Sequence, residues 1–129
     1  MKALNYRLIM QWILWLIAVH SICFGLALII FPAGWIEFFG FQLQEKFFAD
    51  QGGVFHLIIS LAYIMAALDP ENSKKFVILS CVTKFTAAVF LFSYYLLGRQ
   101  IFMVLISGIG DLLMGLAILI SYILYIRTK

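Results

Sequence analysis

Two charged residues, Lys84 and Asp111, lie deep inside long apolar stretches of this sequence. The bilayer penalises ionisable side chains, so such residues are candidates for function, although a buried pair can also hold helices together. Lys84 lies about nine residues from one end of its stretch and Asp111 about ten from the opposite end of the next, so at about 1.5 Å per residue both fall near mid-membrane. The sequence therefore predicts a Lys84–Asp111 ion pair. Two interpretations remain open: a structural link, or a part in binding or proton handling.

A second group of polar residues shares one other apolar stretch: Asp50, Gln51, His56, Ser60 and Tyr63. The last three are spaced i, i+4 and i+7, which places them on one face of a helix. Such a polar stripe should face the interior of a helix bundle, where hydrogen bonds are available, rather than lipid. Asp50 lies where this helix should start and is a natural N-cap. Together with Lys84 and Asp111, these five residues form the predicted ligand-binding site or intramembrane polar network.

The two histidines, His20 and His56, lie at similar depth in different stretches. Neutral imidazoles on two helices can ligate a haem iron from both faces, with Lys84 or Arg99 pairing with its propionates. No pattern of supporting hydrogen-bond partners and no c-type attachment motif accompanies them, so the preferred interpretation is helix-contact histidines without haem.

Other chemistry finds little support in the sequence. Cys23 and Cys81 lie in separate stretches without C-x-x-C spacing, so no metal site is predicted. H-E-x-x-H, G-x-S-x-G and Walker motifs are absent, as is any carboxylate cluster. No catalytic residue is assigned, and an enzyme acting alone is not expected.

The composition of the chain predicts the helices that position these residues. The chain has 129 residues, of which 65% are hydrophobic and 12% charged, whereas soluble domains are about 45–50% apolar and about 25% charged. Stretches of about 20 apolar residues cross a bilayer. The sequence predicts an all-α, polytopic membrane protein whose single domain, residues 1–129, is a bundle of four transmembrane helices. The predicted spans are 8–31, 50–68, 76–97 and 101–126.

The connection after the first span, residues 35–49, mixes aromatic and charged side chains. That mixture is typical of an interfacial segment lying in the headgroups, and the alternative is a lid over an opening between helices. Basic residues flanking the spans number six on one side and two on the other, which predicts that both termini are cytoplasmic. Their scattered placement indicates membrane-flanking cations and no nucleic-acid partner.

A series of short matches runs through the last three spans: Phe48-Ala49-Asp50-Gln51-Gly52-Gly53, His56, Tyr63, Ala67-Leu68-Asp69-Pro70, Lys84 and Gly110-Asp111. In this order of features the chain resembles the small four-helix bacterial membrane proteins called BphX-like or DoxX-like. Some members of these families are associated with quinone-linked respiratory oxidations. The resemblance implies a location in the bacterial cytoplasmic membrane, and it implies fold more strongly than activity.

Three functions remain as hypotheses. The first is a noncatalytic membrane protein, either an accessory subunit of a membrane complex or a binder of a quinone or lipid in a pocket lined by His56, Tyr63, Lys84 and Asp111. The second is a proton or small-solute transporter that uses Lys84, Asp111 and His56, although inverted repeats and broken helices are lacking. The third is the haem protein. The expected partners are the lipid bilayer and either other membrane subunits or a second copy of the chain.

Overall fold

A computed structural model describes residues 5–128, and these residues form five helices and no strand. The helices are α1 (Tyr6–Ile30), α2 (Ala33–Phe38), α3 (Phe47–Leu68), α4 (Lys74–Leu97) and α5 (Phe102–Arg127). All except α2 are long and apolar enough to cross a membrane. The chain is thus an integral membrane protein, and the predicted all-α four-helix bundle is confirmed.

Local sequence explains where the helices end. The Asn5 side chain accepts a hydrogen bond from Leu8 N at 3.2 Å and so caps α1. Pro32, which cannot donate to the helical ladder, separates α1 from α2. Between α3 and α4, the Asn72 amide donates to the Asp69 carboxylate at 2.6 Å. The hydrogen bonds from Asn72 hold the pKa of Asp69 below its usual value.

The start of α3 differs from the prediction. The helix begins at Phe47 and not near residue 50, Lys46 is its N-cap residue, and Asp50 lies in its first turn. Lys46 Nζ donates to the Ile29 carbonyl in the last turn of α1 and lies 2.7 Å from Asp50 Oδ1. The last carbonyls of a helix have no partner within it and need external donors. Lys46 supplies one, and the predicted capping role of Asp50 is wrong.

The spanning helices form two close pairs. α1 packs most extensively on α3, and α4 on α5, whereas α1 with α5 and α3 with α4 share smaller contacts. Between α1 and α3, a Cβ on Gly25 would lie 2.7 Å from Gly53 O, and one on Gly53 would lie 2.6 Å from Gly25 O. Such backbone proximity is possible only for glycine. Between α4 and α5, Gly108 and Gly115 similarly receive larger side chains of α4.

The largest cluster of buried apolar residues lies at one end of this bundle, and Ile36, Ala88, Ile101 and Val104 are buried toward the other end. The buried residues of the largest cluster are Met10, Leu14, Ile17, Ala18, Tyr63, Ala66, Ala67, Val77, Ile118 and Tyr125. They come from the beginning of α1, the end of α3, the beginning of α4 and the end of α5, a region called the lower half below. The upper half comprises the opposite ends of these helices together with α2. At the lower end, Arg7 lies 3.9 Å from Asp69 and so links α1 to the α3–α4 turn.

The segment between α1 and α3 contains one short helix. Within α2, Ile36 is buried while Trp35 and Phe38 are exposed. Gly40 then reverses the chain with a φ of 94°, a conformation that favours glycine. The location of this segment among lipid headgroups stays a prediction.

Candidate functional site

Lys84 and Asp111 are in direct contact. Lys84 Nζ lies 2.6 Å from Asp111 Oδ1, and the two side chains are only 3% and 15% exposed. A hydrogen bond between two charged groups at this distance is among the strong ones. Gly115, one turn from Asp111, faces Lys84 Cβ and so lets α4 approach α5. The predicted ion pair is confirmed.

A third helix reaches this pair through Tyr63. Lys84 Nζ lies 5.5 Å from the centroid of the Tyr63 ring, within the range of a cation–π interaction. Tyr63 of α3, Lys84 of α4 and Asp111 of α5 are called the polar cluster below. Ser60, one turn before Tyr63, is buried but donates to Leu57 O of its own helix at 2.6 Å. Its polar group is therefore satisfied without any contact to the cluster.

His56 is held by α1. Ser21 Oγ donates to His56 O at 3.0 Å and also lies 3.2 Å from His56 Nδ1. Because the hydroxyl proton is used on the carbonyl, the second contact is satisfied when Nδ1 carries the ring proton and donates to Oγ. That tautomer leaves Nε2 as a hydrogen-bond acceptor. Sequence reasoning missed Ser21, since one serine in an apolar helix carries no distinguishing signal.

A phenyl ring connects the two histidines. The exposed His20 stacks on Phe24 with ring centroids 6.2 Å apart, and Phe24 meets His56 edge-on at 4.9 Å. Because Phe24 contacts both rings, a haem bound between the histidines would have to displace it. The haem hypothesis is otherwise untested by these positions.

The remaining predicted residues lie elsewhere. Asp50 pairs with Lys46 near the start of α3, and Gln51 beside it is exposed. Tyr63 lies thirteen positions after Asp50, which is about 20 Å along a helix. The structure thus joins Tyr63, Lys84 and Asp111, places His56 two turns before Tyr63 on α3, and separates Asp50 and Gln51 from them.

Along α1, burial is lost halfway up the bundle. Met10, Ile17 and Phe24 are spaced seven apart and so share one side of the helix, and Phe31 is the residue that follows its last turn. The first two are buried, whereas Phe24 and Phe31 are 37% and 40% exposed. The same side of α1 therefore has neighbours in the lower half and few in the upper half.

The side of α3 next to Tyr63 shows the same change more strongly. Phe48, Phe55, Ala62 and Ala66 lie on one side of this helix, away from the glycine contact with α1. Ala66 and Ala62 are buried, but Phe55 and Phe48 are 59% and 73% exposed. These side chains are therefore covered by neighbouring helices only in the lower half of the bundle.

On α4, the side chains that show the same change in burial lie on a side of the helix that faces away from α5. Phe85 and Phe92 contact the α5 glycines, while Ser80, Phe90 and Tyr94 lie on another side of the helix. Ser80 is buried, and Phe90 and Tyr94 are exposed. The polar cluster therefore lies at the upper edge of the largest buried cluster, above which aromatic side chains of α1, α3 and α4 are exposed. A Cβ added to Gly110, next to Asp111, would meet nothing within 4 Å.

Two surface cavities lie at the upper end of the molecule. One, of about 620 Å³, has the following lining residues: Phe38, Phe39, Gly40, Arg99, Gln100, Ile101, Phe102 and Met103. The other, of about 610 Å³, is lined by Glu37, Gly40, Phe41, Gln42, Leu43, Gln44 and Arg99. Neither borders the polar cluster. Within residues 5–128, no three metal-ligating side chains are grouped so as to hold an ion.

Comparison with known proteins identifies no relative. No protein-family model, curated protein or solved structure matches this chain. The resemblance to BphX-like and DoxX-like proteins therefore stays a prediction.

Proposed function

We propose that this chain is a noncatalytic membrane protein that binds a lipid-soluble molecule of the quinone class, with the polar end of the ligand at the polar cluster. The observation that carries the proposal is the position of the Lys84–Asp111 pair at the upper edge of the core, and we infer that an opening between the two helix pairs lies above it. Lys84 has three donors and Asp111 several acceptor sites, and their mutual hydrogen bond uses one of each. Capacity for further hydrogen bonds therefore remains beside the opening.

The neutrality of the pair favours an uncharged ligand. A phosphate or carboxylate bound there would add net charge near mid-membrane, where charge is costly. A carbonyl oxygen can accept from Lys84, and a hydroxyl can donate to Asp111, without changing the net charge. A quinone and its reduced form present these two groups without any charge, whereas a phospholipid headgroup carries an ionised phosphate. Of the two ligand classes considered, quinone fits better.

The packing favours binding over transport. Below the polar cluster, the bundle is filled by buried apolar side chains, among them Met10, Ile17 and Ile118. A solute path through Lys84, Asp111 and His56 would have to cross this packed layer. Above the polar cluster, the aromatic side chains Phe24, Phe55 and Phe90 are exposed, which supports a binding site that is loaded from one side. An accessory role in a membrane complex is compatible with this site, because a partner subunit could accept or deliver the ligand.

The proposed location is the bacterial cytoplasmic membrane, with both termini inside. Arg7, Lys74, Lys75 and Arg127 lie at the lower end, against Lys46 and Arg99 at the upper end. Lys2 and Lys129, which add to the predicted bias, lie outside the described residues. The excess of basic residues supports a cytoplasmic lower end. The opening then faces the outer leaflet.

Ligand-dependent stabilisation tests the proposal. Purified protein would be melted in detergent with increasing amounts of a decyl-substituted benzoquinone. A ligand at 100 times its Kd stabilises the folded state by about 2.7 kcal/mol, so we expect a saturable rise in Tm. The Lys84→Met/Asp111→Leu double variant should lose this rise. Lys46→Met, changed far from the polar cluster, should keep it.

Two results would overturn the proposal. One is the absence of any saturable rise in Tm for the wild-type protein. The other is an equal rise in the double variant, because binding would then not involve Lys84 or Asp111. An absorption spectrum of the same preparation tests the haem hypothesis, since a Soret band lost in His20→Ala or His56→Ala would make iron ligation the function.

A further inference from the structure

Two opposite charges that do not pair with each other line one cavity at the upper end of the molecule. Glu37, in α2, and Arg99, in the turn between α4 and α5, both border the cavity of about 610 Å³. Both residues are exposed, and the ion pairs formed within residues 5–128 include neither of them. Each charge is therefore available to a group of opposite charge on a ligand.

The second cavity, of about 620 Å³, adjoins the first, because Gly40 and Arg99 line both. Apart from Gln100, its other lining residues are apolar: Phe38, Phe39, Ile101, Phe102 and Met103. Arg99 thus lies between a polar cavity and an apolar one. This arrangement matches a ligand that has a charged head and a hydrocarbon tail.

These cavities lie at the depth of lipid headgroups. The helix α4 has 24 residues, which is about 36 Å along a helix, whereas the hydrocarbon core of a bilayer is about 30 Å thick. The turn after α4 leads directly into α5, a second helix long enough to cross the membrane. Arg99 in this turn therefore lies at the level of the phosphate groups of one leaflet. The uncapped start of α5 borders the apolar cavity and adds to the preference for an anion there.

We infer that the two cavities bind one molecule of phosphatidylethanolamine. Its phosphate contacts Arg99, its ammonium group contacts Glu37, and the beginning of its acyl chains lies in the apolar cavity. A guanidinium group binds phosphate through paired, charge-assisted hydrogen bonds. A primary ammonium group has three donors, and the amide oxygens of Gln42 and Gln44, which line the same cavity as Glu37, can accept from it.

The pair of charges distinguishes this lipid from other phospholipids. Phosphatidylglycerol has a phosphate but no cation, so its headgroup would leave Glu37 unpaired beside a second negative charge. Phosphatidylcholine has a cation, but its quaternary ammonium group has no hydrogen to donate to a carboxylate or an amide. Only phosphatidylethanolamine among these three lipids satisfies both Arg99 and Glu37.

Native mass spectrometry of the purified protein in detergent tests the inference, because it counts bound lipids. The dioleoyl forms of phosphatidylethanolamine, phosphatidylcholine and phosphatidylglycerol would be titrated separately. We expect one phosphatidylethanolamine per chain, with a Kd at least about tenfold below that of either other lipid. Arg99→Gln should weaken this binding by about tenfold or more. Glu37→Gln should remove the preference over phosphatidylcholine and strengthen the binding of phosphatidylglycerol.

The matched controls remove the same charges outside the two cavities. Glu45→Gln removes an exposed carboxylate from the segment that contains Glu37, and Arg127→Gln removes an exposed guanidinium group at the other end of α5. Both variants should bind the three lipids as the wild-type protein does. Glycerophosphoethanolamine, the headgroup without acyl chains, should not compete at the concentrations at which the lipid binds. Circular dichroism confirms that each variant is folded.

Three results would overturn the inference. Equal or tighter binding of phosphatidylglycerol to the wild-type protein would show that Glu37 does not select the headgroup. Unchanged binding to Arg99→Gln would place the lipid elsewhere. Competition by glycerophosphoethanolamine as effective as that of the lipid would exclude the apolar cavity from the site.

The inference is independent of the proposed function, because neither cavity borders the polar cluster. The rise in Tm with benzoquinone should therefore persist in Arg99→Gln. Its loss in that variant would mean that the cavities hold the quinone, which contradicts a separate lipid site.

Discussion

The ammonium group of Lys84 lies near the middle of a membrane protein, and the free-energy cost of burying its charge depends on its partner, Asp111. Removing one member of a buried pair typically costs about 3–5 kcal/mol, because the other charge remains unpaired, whereas apolar replacement of both is often neutral or stabilising. We therefore expect Lys84→Met and Asp111→Leu each to lower the Tm in detergent markedly, and the double variant to regain most of it.

The coupling between Lys84 and Asp111 would be contradicted if the stability losses of the two single variants simply added in the double variant. If the double variant lost as much stability as the two single variants together, the contact seen between Nζ and Oδ1 would carry no energy. Both residues would then be better described as independently solvated in a wet opening. Tyr63→Phe is a useful control, since it retains the ring beneath Lys84 and should leave the Tm nearly unchanged.

Lys46 joins two helices with one ammonium group. It donates to the Ile29 carbonyl of α1 and pairs with Asp50 of α3, at a site exposed enough for solvent to weaken the charge interaction. We expect Lys46→Met to destabilise by about 1–2 kcal/mol, because a carbonyl loses its donor. Asp50→Asn should cost less than about 1 kcal/mol, because it removes only the ion pair. Equal losses in detergent melting would show that the carbonyl contact is unimportant.

These residues also show what sequence can predict. Lys84 and Asp111 were predictable as partners because each needs an opposite charge at its depth, and the length of the helices fixes that depth. The role of Lys46 was not, because it donates to the Ile29 carbonyl only after the chain has folded back over the end of α1. Ser21 was equally hidden, since its importance comes from facing His56 on another helix.

At the scale of elements, glycine sets the distance between α1 and α3. A methyl group on Gly25 or Gly53 would collide with the opposite backbone, and overpacking of this kind typically costs about 1–3 kcal/mol. We expect Gly25→Ala and Gly53→Ala to lower stability by this amount in a detergent melt or a denaturant titration.

Gly52→Ala is the matched control for this contact. It is adjacent to Gly53, yet its Cβ would make only ordinary contact with Leu28 at 3.7 Å. Because alanine favours helix by up to about 1 kcal/mol over glycine, this variant should be neutral or more stable. A loss as large as that of Gly53→Ala would show that the glycines act through local helix geometry and not through the approach of α1.

Helix positions were predictable to within three residues, the largest difference being the start of α3 at Phe47 instead of residue 50. Apolar length and the turns around Pro32, Pro70 and Gly98 suffice for that. The partial packing of α3 on α4 was not predictable. Lipid-facing and protein-facing sides of a membrane helix are similarly apolar, so the sequence alone does not distinguish the exposed Phe55 from the buried Ala62.

At the scale of the whole molecule, the basic residues predict orientation. In a background lacking Cys23 and Cys81, single cysteines would replace Gln42, Asn72 and Thr128, all of which are exposed. We expect a membrane-impermeant maleimide to label Gln42→Cys in intact cells, and the other two only after permeabilisation, because the lower end carries more lysine and arginine. The reverse pattern would place the opening in the inner leaflet and leave the binding site itself unaffected.

The Lys84–Asp111 pair also determines how the molecule responds to membrane voltage. A single charge that crosses the whole membrane changes its energy by about 2.3 kcal/mol per 100 mV. Two opposite charges only 2.6 Å apart experience nearly the same potential, so the field exerts almost no net force on them. Neither the pair nor an uncharged quinone beside it couples to the resting potential. The membrane potential therefore has almost no effect on the intact site. Asp111→Leu leaves the Lys84 cation alone in the field, so the stability of the fold then depends on voltage.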